Sequence, residues 1–142
     1  MEPESESPLR KAKLIGIAYL VFAIVLPFVV LLIPESELPA STGPIEVISW
    51  LLILLMPLEL LLLYAFYRYF GKKSESRNIM GPAILMYVFA IVPSIYGFII
   101  GFIGSSLRII AIPMGLSFSL VGFWLAWMFI SNLWETITSS NQ

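Results

Sequence analysis

The chain has 142 residues, of which 59% are hydrophobic and 12% charged, with a net charge of −1 and a mean hydropathy of +0.94. A soluble domain carries about 25% charged residues, so this composition reads as an integral membrane protein, and the small net charge speaks against a nucleic-acid partner. The absence of cysteine and histidine removes disulfides, thiol nucleophiles and imidazole bases, together with thiolate and imidazole ligands for zinc, iron–sulfur, copper or haem; no metal and no cofactor is expected.

Four apolar segments follow one another, at about residues 14–33, 45–70, 79–103 and 107–130. Each is long enough to cross a hydrocarbon core of about 30 Å as a helix rising about 1.5 Å per residue. No segment alternates polar and apolar residues as a membrane barrel strand must. The expected fold is all-α: four transmembrane helices in an antiparallel up-down bundle. Residues 14–137 form one domain between polar tails at 1–13 and 138–142, and the ends "MEPESESP" and "TITSSNQ" are expected to be mobile.

The first apolar run exceeds the roughly 7–15 residues of a signal-peptide core and is expected to stay in the protein as a span. The connector at 34–44 holds Glu35, Glu37 and the prolines Pro34, Pro39 and Pro44. The second connector is the polar run "GKKSESRN" (71–78), and the third, 104–106, is very tight. Connectors this short make successive spans antiparallel neighbours.

Basic residues set the direction. Arg10, Lys11 and Lys13 precede the first span, Arg68, Lys72, Lys73 and Arg77 surround the second connector, and Arg108 stands alone on the other side. The positive-inside rule then puts both termini in the cytoplasm, with the cell or plasma membrane as the expected location. Topology accounts for these basic clusters, which could also touch anionic lipid heads.

Membrane helices associate through close packing at small residues. The third span carries Ala83, Tyr87, Ala90, Ser94, Gly97, Gly101 and Gly104 at alternating steps of 4 and 3, a heptad seam. The fourth carries Ala111, Gly115, Ser119, Gly122 and Ala126, also at steps of 4 and 3. These faces are expected to meet as the closest helix pair. The second span has only Ala65 as a small residue and no such seam, so it is expected at the periphery, against lipid or another protein.

Each span contains one internal proline, Pro27, Pro57, Pro93 or Pro113. Each frees a carbonyl one turn earlier, at Ala23, Ile53, Phe89 and Ile109. With the topology above, the prolines fall in the middle or outer half and large aromatics dominate the inner half. The bundle is expected to be firm on the cytoplasmic side and kinked outside, with the kinks filled by side chains or opening an outward-facing cleft.

One carboxylate lies deep within a span, while the other glutamates, Glu46 included, fall in tails, loops or helix ends. Glu59, in "LLMPLELLLL", is nine residues after Trp50 and eight before Tyr67, which puts it roughly 12–14 Å from either anchor, at mid-membrane. A central acidic group costs roughly 2.5–3.5 kcal/mol on insertion scales. Ser94, Ser117 and Ser119 are the polar side chains at similar depth, and together with Glu59 they form the candidate intramembrane site. No basic residue lies at this depth, so a salt bridge is not expected.

The stretch "AIVPSIYGFIIGF" (Ala90–Phe102), through Pro93, Tyr96 and Gly97, resembles the ion-carrying helix of the c-type proteolipids of rotary ATPases. The resemblance covers only these residues. Ile91 and Val92 stand where that family has its carboxylate, so it implies no ion site here. No phosphate-binding loop, dinucleotide fingerprint or nucleophile elbow is present.

The expected function is non-enzymatic. The chain reads as a small membrane subunit, accessory or scaffold protein packing in the lipid bilayer with itself, as a homo-oligomer, or with a larger membrane complex. The alternative is a small transporter or channel using Glu59 and an outward-facing cleft.

Overall fold

The computed structural model describes residues 7–72 and 78–139. Four helices fill them: α1 (Pro8–Leu31), α2 (Gly43–Lys72), α3 (Met80–Phe102) and α4 (Arg108–Ser139). Each is long and apolar enough to cross a membrane. The connector residues 73–77 and the terminal residues 1–6 and 140–142, on which part of the tail and connector expectations falls, lie outside the described residues.

The helix ends follow local chemistry. At the start of α1 the Ser7 side chain accepts from the Arg10 amide, and Pro8 occupies the first turn, where its missing N–H costs nothing. The helix therefore begins six residues before the expected span. At the other end of the chain α4 continues to Ser139, so residues 136–139 are helical rather than part of a polar tail. No Gly or Pro interrupts this extension, Leu133 is buried in the core, and Ser131, Thr136 and Thr138 turn their hydroxyls back onto carbonyls of their own helix. α3 closes through Gly104, whose φ of +74° suits glycine alone. The Gly104 amide donates to the Gly101 carbonyl and the Ser105 amide to the Ile100 carbonyl, a Schellman ending that reverses the chain into α4.

α3 is the centre of the bundle. Half of its apolar window is buried, against 22% for α1 and 28% for α2. α3 and α4 form the most extensive helix pair; α1 and α2 each touch both of them but not each other. The cross-section is a lozenge, with α3 and α4 across its short diagonal. This corrects the expectation that all successive spans are neighbours. The connector after α1 passes over the α3–α4 turn, with the Pro39 carbonyl set directly against Gly104. Eleven residues, at up to about 3.5 Å each, easily cover the width of two helices at about 10 Å each.

The stripe of small residues on α3 is divided between two partners. Its Tyr87, Ser94 and Gly101 positions meet α1 at Gly16, Ala23 and Val30. Both series step by seven, so α1 and α3 run parallel with a heptad register. Its Ala90 and Gly97 positions meet α4 instead. An added Cβ at Gly97 would stand 2.9 Å from the Ala111 carbonyl, and one at Gly122 would stand 3.1 Å from the Ala90 Cα. Gly115 lies against the Pro93 carbonyl. Ala83 and Ala126 are buried in the same core cluster.

The two ends of the bundle differ. Toward the start of α1 and the end of α4, Tyr67 stacks on Phe129 at 4.0 Å and Phe66 on Phe89 at 4.9 Å between ring centroids, and the Lys13 ammonium lies 5.1 Å from the Trp127 ring. At the loop end the core is smaller, built on Ile53, Met56, Ile100 and Ala111. There an apolar groove of about 330 Å³ runs between α1 and α4, with Pro27 and Pro113 in its walls.

Because the atom facing Gly115 is backbone, a methyl group there cannot be absorbed by a rotamer change. Gly115→Ala is expected to destabilise the bundle by about 1–3 kcal/mol, the usual cost of overpacking, read as a lower thermal midpoint in detergent. Gly81→Ala, with nothing within 4 Å of the added methyl, is the matched control and should leave the midpoint in place.

Candidate functional site

The buried residues of α2 are Ser49, Ile53, Met56, Glu59 and Leu63. Their steps of 4, 3, 3 and 4 trace one helical face, and this face turns toward α3 and α4. Glu59 is therefore directed inward, with 9% of its surface exposed. The Tyr96 hydroxyl of α3 donates to Glu59 Oε1 at 2.8 Å. Glu59 Oε2 is buried and has no hydrogen-bond partner among the described residues. The site is thus a buried carboxyl group with one phenolic donor, and the Tyr96 ring that carries the donor packs against the cluster of Ile53, Met56, Ile100 and Ala111.

The three serines named with Glu59 lie elsewhere. Ser94 Oγ donates to the Ala23 carbonyl of α1 at 2.6 Å, and its amide donates to Ser119 Oγ of α4 at 2.9 Å. Ser119 Oγ in turn points back to the Ile91 carbonyl at 3.5 Å. Both serines are fully buried. Ser94 and Ser119 thus form one polar node joining α1, α3 and α4, separate from the Glu59–Tyr96 pair. Ser117 belongs to neither group. It is exposed and donates to the Pro113 carbonyl of its own helix at 2.7 Å.

Two polar contacts are not evident from sequence spacing. One is that of the Tyr96 hydroxyl, which stands a full side chain away from its Cα and so at a different depth from its backbone. The second involves Glu46, in the first turn of α2. Its carboxylate accepts from Ser41 Oγ, from Ser105 Oγ at 3.1 Å and from the Ser106 amide at 2.9 Å. It ties the first connector and the α3–α4 turn to the start of α2. The positive ends of the α2 and α4 dipoles both lie beside it.

Among the described residues no group of three acidic side chains converges in a way that could hold a metal ion. No family model matches the chain, and neither the curated proteins nor the solved structures contain a match to it. The chemistry of the two polar clusters is accordingly read from their own geometry.

Removing one member of the Glu59–Tyr96 pair leaves the other buried without its partner. Interhelical hydrogen bonds in membranes average about 0.6 kcal/mol and reach about 1.7 kcal/mol in double-mutant cycles. A cycle of Glu59→Leu, Tyr96→Phe and the double variant is expected to give a coupling energy in that range by detergent unfolding. For Glu46→Ala, hydrogen–deuterium exchange at the Ser106 amide should become faster, while exchange in the middle of α3 stays unchanged.

Proposed function

We propose that this chain is a small, non-enzymatic integral membrane protein that acts as a subunit, accessory or scaffold protein. It would associate with copies of itself or with a larger complex in the cell membrane, with both termini in the cytoplasm. The observation that carries this reading is the use made of the buried polar groups. Ser94, Ser119, Glu59 and Tyr96 each reach across to a neighbouring helix, which makes them fasteners of the bundle. The orientation is supported by Arg10, Lys11 and Lys13 at the start of α1 and Arg68 and Lys72 at the end of α2, against Arg108 at the loop end; Lys73 and Arg77 lie outside the described residues.

The transporter or channel reading draws on the groove between α1 and α4. Glu59, however, projects from α2 on the opposite flank of the lozenge and is not among the groove residues. That reading requires a path for water or an ion to Glu59, separate from the groove.

The natural absence of cysteine makes the test direct. Single cysteines at Ser41 and Thr138 should differ in labelling by a membrane-impermeant maleimide, with Ser41→Cys reacting on intact cells and Thr138→Cys only after permeabilisation. The reverse pattern would reject the orientation. Native mass spectrometry of mildly solubilised protein should show species heavier than the 15.9 kDa chain; a monomer alone, before and after chemical crosslinking in the membrane, would reject the assembly role.

A further inference from the structure

The apolar groove between α1 and α4 does not end blindly. Its walls include Pro27, Val30 and Leu31 on α1 and Ile112, Pro113 and Leu116 on α4. At the loop end it reaches Arg108 and Ile109, and these two residues also line a second pocket of about 280 Å³ with Pro39, Ser105 and Ser106. An apolar slot therefore opens into a pocket of mixed polar and apolar lining, and Arg108 stands where they join. From Arg108 to Leu116 the slot follows eight residues of α4, about 12 Å of helix. That is most of one leaflet of a hydrocarbon core about 30 Å thick, and Arg108, the first residue of α4, lies at its boundary.

We propose that this composite site binds an anionic phospholipid. One acyl chain lies in the slot between α1 and α4, and the phosphate meets the Arg108 guanidinium. Two features carry the assignment. Pro27 and Pro113 both line the slot, and apart from Arg108 every residue lining it is apolar, which suits a flexible hydrocarbon chain. The lining turns from apolar to partly polar beside a cation whose planar fork matches phosphate oxygens. Arg108 has a further interaction within the protein, and the five N–H donors of a guanidinium serve more than one acceptor. The Glu46 carboxylate at the same turn is occupied by Ser41, Ser105 and the Ser106 amide.

The test is lipid competition by native mass spectrometry, adding equimolar dioleoyl phosphatidylglycerol and dioleoyl phosphatidylcholine to delipidated protein in detergent. The expected preference is about fivefold for the anionic lipid, the worth of one basic residue at an anionic surface. Arg108→Gln should bring the ratio close to one. Leu116→Trp, which fills the slot, should weaken both adducts and keep the preference. Helical circular dichroism and the thermal midpoint establish that each variant is folded, and Arg108→Met, equally without the charge, replaces Arg108→Gln if that variant is not. Equal retention of the two lipids by the unaltered protein overturns the proposal. So does an undiminished preference in the folded Arg108 variant, or displacement of the phospholipid by an equal concentration of oleate.

Discussion

Pro27 leaves the carbonyl of Ala23 without its helical donor, and hydrocarbon offers no water to replace it. Ser94 supplies the missing donor from α3 at 2.6 Å, and its own amide is received by Ser119 of α4 at 2.9 Å. Three helices are tied at this point, and the tie works only if their backbones come close. The small residues around it permit that approach: Gly97, Gly101, Gly115 and Gly122 each lie against an atom of a neighbouring helix. Polar satisfaction and close packing are thus one requirement met twice, since the kink creates the demand and the small-residue stripe brings the donor within reach. α2, which has no such stripe, is held instead by Glu59 on Tyr96 and by Glu46 on the α3–α4 turn.

Much of this was legible before the structure. Four spans, their prolines and the small-residue faces of α3 and α4 follow from length, hydropathy and spacing, because in a membrane those properties directly limit what the backbone can do. The freed carbonyl at Ala23 and the buried Ser94 were each visible in the sequence, but their pairing was not. It depends on α1 lying parallel to α3, and a sequence with short connectors suggests adjacency of consecutive helices. The stripe on α1, Ala12, Gly16, Ala23, Pro27 and Val30, is mixed in size and reads poorly as a seam. Gly16 has meaning only because the Tyr87 ring occupies its place.

Glu59 illustrates the same limit. Its depth and cost were plain from sequence, and its partner was sought among serines at matching depth. The actual donor is a half-buried tyrosine that had already been noticed for a different reason, within a short local likeness to another helix. Glu46 was grouped with loop and helix-end carboxylates, since no spacing rule connects residue 46 with residues 105 and 106. Only the crossing of the first connector over the α3–α4 turn brings them together.

That crossing also bears on how the protein is made. A chain that enters the membrane from its N-terminus delivers α1 and α2 first, and domains ordinarily fold as their segments emerge. Here the first two helices have no contact with each other. Until α3 arrives with Ser94 and Tyr96, neither the Ala23 carbonyl nor the Glu59 carboxyl has the partner it holds in the bundle. Biogenesis of this bundle is governed by its third helix, and the interval before that helix inserts is when the nascent chain most needs a protected environment.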